Sequence, residues 1–180
     1  MSKVPSAAIS RMVTYLRILD GLEAAGQNRT SSEQLAQEAQ VSAFQVRKDL
    51  SYFGSYGTRG VGYTVPVLRR ELMQILGLTR RWGVCIVGMG RLGQALADYP
   101  GFSEHFDLRA FFDSDPKKQG LRIRNASIEG LEALPGAVSE KRIDMGLIAV
   151  PAHSAQAVAD RLVQSGIRGI LNFAPVVLEV

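Results

Sequence analysis

An α+β winged-helix domain followed by an α/β Rossmann-like parallel-sheet domain is the fold class this sequence predicts. Three observations carry it. Apolar residues recur at steps of three and four through residues 5–53, the mark of packed helices. A glycine-rich, β-prone segment follows at 57–65. An apolar run at 82–87 then leads directly into Gly88-Met89-Gly90-Arg91-Leu92-Gly93, with helix formers after it. The length of 180 residues suits two small domains. They are expected at 1–77 and 78–180.

Composition narrows the class. With 46% hydrophobic and 21% charged residues, the chain is neither disordered nor collagen-like nor a coiled coil. No apolar run approaches the ~20 residues of a membrane span, and the first residues lack the apolar core of a signal peptide. The single Cys85 excludes an internal disulfide framework and a Cys-rich zinc site, and His105 and His153 have no metal-ligand spacing. The expectation is a cytoplasmic protein without membrane or metal partners. Its charge is uneven: residues 1–81 carry 11 Lys/Arg against 6 Asp/Glu, residues 82–180 carry 10 against 11. A basic head on a near-neutral body suggests a polyanion partner for the head.

Pro5-Ser6 opens the first helix, with Ile9, Met12, Val13, Leu16, Leu19 and Leu22 as its buried stripe and an end near Gly26. Thr30-Ser31-Ser32-Glu33-Gln34 contains a capping-box pattern and starts a short second helix. Ser42 caps a third, running to Phe53 and stopping at Gly54, whose Val46, Leu50 and Phe53 face the core. Gln45, Lys48 and Tyr52 lie on another face, with Arg47 and Ser51 beside them. Two short helices so joined form a helix-turn-helix. Arg and Lys hydrogen-bond guanine edges or phosphates, and Gln pairs with adenine. Residues 57–65 are expected as a hairpin serving as a wing. Arg59 and Gly60 form its tip, set for a minor groove, and Tyr63 packs against sugar or phosphate. Residues 67–76 form a further helix ended by Gly77.

In the second half, Trp82–Val87 is suited to a buried parallel strand. The glycine motif after it allows a tight turn and close approach of a pyrophosphate at a helix N-terminus. A second strand at 108–112 ends in Asp113, where a carboxylate takes a ribose diol and disfavours a 2′-phosphate, pointing to NAD over NADP. Lys118, with Lys117, is placed to meet a phosphate, to lie in solvent or to sit beside the adenine. Later strands at 143–150 and 166–173 bring Val150-Pro151-Ala152 and Asn172-Phe173-Ala174 to the carboxyl edge of the sheet, near the nicotinamide. No second domain supplies a substrate site or an acid–base pair, so binding points to sensing and not turnover; the chain is not expected to be an enzyme. A small NAD-dependent oxidoreductase and a CoA- or nucleotide-binding module are the alternatives that share this core.

Taken together, Val46-Arg47-Lys48-Asp49-Leu50-Ser51-Tyr52-Phe53-Gly54, Gly60-Val61-Gly62-Tyr63, the Gly88–Gly93 motif, Phe112-Asp113-Ser114-Asp115, Val150-Pro151-Ala152 and Ile170–Pro175 resemble the Rex family of redox-sensing transcriptional repressors. The resemblance implies a homodimer that binds double-stranded, pseudo-palindromic operator DNA, and release of that DNA by NADH in competition with NAD+. It also implies that Tyr99 lies near the nicotinamide and helps distinguish the redox states. Family members continue into a helix exchanged between subunits, which supplies an Asp partner for that Tyr; that helix is absent from this chain, which stops at Val180.

Overall fold

The computed structural model describes residues 4–58, 60–102 and 105–180. The chain divides into two compact units, Met1–Thr79 and Arg80–Val180. This division moves Arg80 and Arg81 into the second unit. The first then carries 9 Lys/Arg against 6 acidic residues and the second 12 against 11. The charge asymmetry is therefore milder than a cut at residue 81 suggests.

The first unit contains α1 (Ser6–Ala24), β1 (Arg29–Thr30), α2 (Ser32–Ala39), α3 (Ala43–Ser51), β2 (Tyr63–Thr64) and α4 (Val65–Ile75). Its apolar core joins Met12, Leu16 and Leu19 of α1 to Leu35, Val46, Leu50 and Leu72. The α1 stripe is rotated from the expected one. Ile9 and Val13 remain 46% and 38% exposed, while Ala8 and Tyr15 are fully buried. Tyr15 turns inward because its hydroxyl finds a buried acceptor, Asp49 Oδ2, at 2.9 Å. Beyond α1, Gly26 at φ +74 lets the Gln27 N–H reach the Leu22 carbonyl at 2.9 Å, closing a Schellman turn.

Both short helices carry the expected caps: Ser31 Oγ accepts from the Gln34 N–H at 3.2 Å and Ser42 Oγ from the Gln45 N–H at 3.1 Å. The expected hairpin at 57–65 takes a different form. Its second strand, β2, pairs antiparallel with β1. Among the described residues before it, Thr58 and Gly62 form an isolated bridge, and no ladder runs beside it.

The second unit is built on a six-stranded sheet of β3 (Trp82–Val87), β4 (Phe106–Phe112), β5 (Arg122–Ile123), β6 (Ala126–Glu129), β7 (Met145–Ile148) and β8 (Gly169–Asn172). The order is β5-β6-β4-β3-β7-β8, parallel throughout except for the antiparallel edge strand β5. The helices are α5 (Arg91–Asp98), α6 (Leu134–Glu140) and α7 (Ala152–Gln164).

Alternation along the strands explains the layering. On β3, Cys85 and Val87 join one core with α6 and α7, while Val84 and Ile86 join a second core on the α5 side. Both faces of the sheet are therefore covered, as a parallel sheet requires. Cys85 is fully buried within the first of these cores, and that burial pushes its thiol pKa up to about 12. Strand order reverses at β3, so the carboxyl ends of β3, β4 and β7 flank one crevice.

Candidate functional site

The outward face of α3 follows from its core contacts. Val46 and Leu50 are buried, which leaves Lys48, Arg47 and Ser51 exposed. Lys48 therefore sits where the sequence places it. Gln45 and Arg47 are more constrained. The Gln45 amide donates to Asp49 Oδ1 at 2.7 Å. Arg47 Nη1 donates to Ser32 Oγ at 2.7 Å and pairs with Glu33 at 3.2 Å, clamping α3 to the start of α2. Ser42 is committed to its cap. Gly60 is exposed on the loop, and Arg59 lies outside the described residues.

Tyr63 departs from expectation. It is 7% exposed and belongs to the apolar core, so its ring is not free to lie along a nucleic-acid backbone. Ser32, Arg47, Ser51, Tyr56, Gly60 and Val61 are among the residues lining a groove of about 780 Å³ beside α3.

The sequence concealed the anchor of this helix. Asp49 is fully buried and accepts from Arg11 Nη2 at 2.8 Å, from Arg11 Nε, from the Tyr15 hydroxyl and from Gln45. Burial alone would raise the Asp49 pKa. The bonds from Arg11, Gln45 and Tyr15 outweigh that and hold the carboxyl below the usual carboxylate range. Asp49 therefore fixes the rotation of α3 about its axis against α1. Its one signal in the sequence was position, between the buried Val46 and Leu50 on a helix where a lone carboxylate needs a partner.

In the second unit the three motif glycines meet three different demands. Gly88 has φ +97, and a Cβ there would overlap the Ala149 carbonyl oxygen. A Cβ on Gly93 would overlap the Gly88 carbonyl, so α5 lies directly against the turn. A Cβ on Gly90 would meet no heavy atom within 4 Å. That open space, next to a helix whose N-cap has no side-chain bond, leaves room for an anion at the first-turn N–H groups of α5.

Asp113, 6% exposed, binds the turn together. Its Oδ2 accepts from the Met89 N–H and from Lys118 Nζ, and its Oδ1 from the Asp115 N–H, each at 2.8 Å. Burial would raise this acid too, but Lys118 and the two backbone donors bring it below the usual range. Oδ1 takes only one of these bonds and retains acceptor capacity toward a sugar hydroxyl.

A cleft of about 750 Å³ opens here, within the range of ligand pockets. Gly88, Gly90, Asp113, Lys118, Val150 and Pro151, all expected cofactor residues, line it. His153, Ser154 and Arg161 of α7, together with Ser114 and Gln119, also line it and were not among the expected cofactor residues. The first three come from α7, whose direction no local pattern revealed, and the other two from the loop after β4.

The other expected cofactor residues stand apart from the cleft lining. The Met89 side chain is fully buried in the α5-side core, so only its backbone takes part, and its N–H is spent on Asp113. Arg91 and Leu92 are exposed on the first turn of α5. Ala152 opens α7 next to Pro151. Tyr99, 57% exposed, packs edge-on against Phe102 at 5.7 Å. Asn172 is turned inward on its own segment, donating to the carbonyls of Ala174 and Val176 and accepting from the Ala174 N–H. This brace holds the stretch after β8, where the Phe173 N–H bonds the Ile148 carbonyl at 2.9 Å. Among the described residues no cluster of His, Cys, Asp and Glu is arranged to hold a metal, and no helix is long and apolar enough to cross a membrane.

Comparison with known proteins agrees with both halves. A family model described as "Putative DNA-binding protein N-terminus" matches residues 3–51, and one described as "CoA binding domain" matches 79–176. The redox-sensing transcriptional repressor Rex of Thermus thermophilus is 69% identical over 178 residues, covering 99% of this chain and 84% of that protein. Among solved structures, RSP in complex with β-NAD+ and operator DNA matches with a TM-score of 0.93 at 39% identity, covering 100% of this chain and 83% of that one. RSP in complex with β-NADH matches with a TM-score of 0.87 at 38% identity, covering 100% and 84%. RSP is itself a Rex-family repressor. These relatives are regulators, which decides against the small oxidoreductase. At 69% identity over nearly its whole length, the chain belongs to the Rex family of redox-sensing transcriptional repressors.

Proposed function

We propose that this chain acts as a cytoplasmic homodimer that represses transcription, its first unit holding double-stranded operator DNA and its second holding NAD(H). NADH entering the second unit releases the DNA, and NAD+ competes for the same cleft. The observation that carries this reading is the open position at Gly90 beside the uncapped start of α5. A pyrophosphate can approach the backbone there with no side chain in the way, and the helix N-terminus offsets its charge.

The division of labour follows from chemistry. Asp113 takes the adenine-side ribose and Lys118 neutralises Asp113 from the far side. The oxidised and reduced rings, which differ by one positive charge, meet the cleft wall at Val150 and Pro151. Tyr99 and Phe173 serve the switch from outside the cleft wall. On the DNA side, Lys48 and Arg47 supply the cationic face, and Gly60 with Arg59 the loop tip. Two such heads in a dimer enter successive major grooves when they stand about 34–36 Å apart. A ligand that favours a different spacing releases the operator.

Linkage requires this coupling to be reciprocal. Operator DNA is expected to weaken NADH binding by the same factor by which NADH weakens operator binding. Titrating NADH fluorescence with and without a saturating operator duplex measures it. Equal NADH affinities in the two titrations would refute the coupling.

Asp113→Ser tests the cofactor end. Losing the carboxylate removes a ribose acceptor and frees Lys118 for a 2′-phosphate. The preference for NADH over NADPH is expected to narrow by about tenfold, the worth of one hydrogen bond to a charged group. Parallel NADH and NADPH titrations of the variant and the parent protein provide the check.

A further inference from the structure

The recognition helix carries one side chain that the charged contacts leave unexplained. Phe44 occupies the first turn of α3 and is 67% exposed. It belongs to none of the apolar clusters among the described residues. At 100° per residue, Phe44, Lys48 and Ser51 share the face opposite the buried Val46 and Leu50. The Ser51 hydroxyl is turned back on the Lys48 carbonyl at 2.7 Å and offers little outward. That face thus presents an aromatic ring at the N-terminal end of the helix and a cation one turn later. The only acid on α3, Asp49, is buried and paired with Arg11, so the exposed face is cationic and suits a polyanion.

We propose that Phe44 determines specificity by packing on the C5-methyl group of a thymine in the major groove. The inference rests on the DNA-binding reading of α3. Among base-edge groups in that groove, the thymine methyl is the apolar one, and Phe is a side chain that contacts it. The N-terminal residues of a recognition helix are those that reach base edges. Lys48, at i+4, lies roughly 6 Å further along the helix. Its guanine or phosphate contact therefore falls within about two base steps of the thymine. Phe44 chooses the base while Lys48 supplies attraction, so discrimination at that position rests on the ring.

The test removes one methyl group at a time. The full chain first selects its preferred duplex from a random-sequence library. Each thymine of that duplex is then replaced singly by deoxyuridine, which lacks only the methyl. The wild-type protein is expected to lose about fourfold in affinity at one thymine per half-site, the worth of one buried methyl. Phe44→Ala is expected to bind the thymine and uracil duplexes equally and to show no base preference there on reselection. Phe44→Leu keeps an apolar tip and restores part of the discrimination. Melting temperatures of both variants establish that they are folded, as expected for an exposed side chain. Wild-type indifference to every uracil substitution overturns the assignment, as does Phe44→Ala retaining the loss at the same position. A wild-type chain that selects no sequence at all overturns the DNA-binding reading as well, and so separates the two failures.

Discussion

Gly90→Val is expected to leave the fold intact and abolish cofactor binding. The backbone at Gly90 has φ −78 and ψ −164, extended geometry that valine adopts without strain. A Cβ there meets no protein atom within 4 Å, so the melting temperature of the free protein should move by no more than about 2 °C, as for surface substitutions. The added isopropyl group fills the space that a pyrophosphate needs against the turn. NADH affinity should fall by about 100-fold or more, equivalent to about 2.7 kcal/mol. Calorimetry with NADH, alongside thermal unfolding of the free chain, makes the comparison. Gly93→Val supplies the contrast: its Cβ overlaps the Gly88 carbonyl, so it should lose stability and binding together. A Gly90→Val protein that still binds NADH tightly would mean that the ligand lies elsewhere.

The second large effect is expected at Asp49. Asp49→Ala strands the fully buried Tyr15 hydroxyl and the Arg11 guanidinium, and frees Gln45. Breaking a buried pair from one side costs about 3–5 kcal/mol. The lower end, about 3 kcal/mol, is expected because the Arg11 side chain keeps 28% of its exposure and can turn to water. Faster amide exchange in α1 and α3 of the full chain reports the loss, and operator affinity falls with it because α3 loses its rotational anchor.

The pH dependence has a definite sign. The folded Asp49 is held below the pKa of the unfolded chain, so its contribution is fully present above about pH 4 and is lost as pH falls through the folded value. Asp49→Asn removes that slope. Identical acid sensitivity of α1 and α3 exchange in the wild type and Asp49→Asn would assign the titration to another group.

What the sequence made legible was local. Ser31 and Ser42 were readable as caps because a hydroxyl and the N–H it serves lie three residues apart. The glycine turn and Asp113 were readable because strand, turn and helix follow one another without interruption. Pairing across distance was not readable. Arg11 and Asp49 are 38 residues apart, and nothing near either residue names the other. The same absence led Ile9 and Val13 to be placed in the core in place of Ala8 and Tyr15.

The stretch at 119–140 was missed for another reason. β5 has two residues, and α6 carries Pro135 and Gly136 in its first turn, which blurs a helical period. Asp113 lines the cleft, and its bracing of Met89, Asp115 and Lys118 was not legible. Asn172, expected beside the nicotinamide, also clips its own segment, a role no local pattern announced.

The buried thiol of Cys85 has a bearing on the kind of signal this regulator can hear. A sulfhydryl sealed between strand and helices, and kept protonated at neutral pH, presents no thiolate to peroxide, glutathione or a second subunit. As Cys85 is the sole sulfhydryl in these 180 residues, thiol–disulfide exchange finds no accessible partner among them. Among these residues a redox signal is left to chemistry other than thiol oxidation.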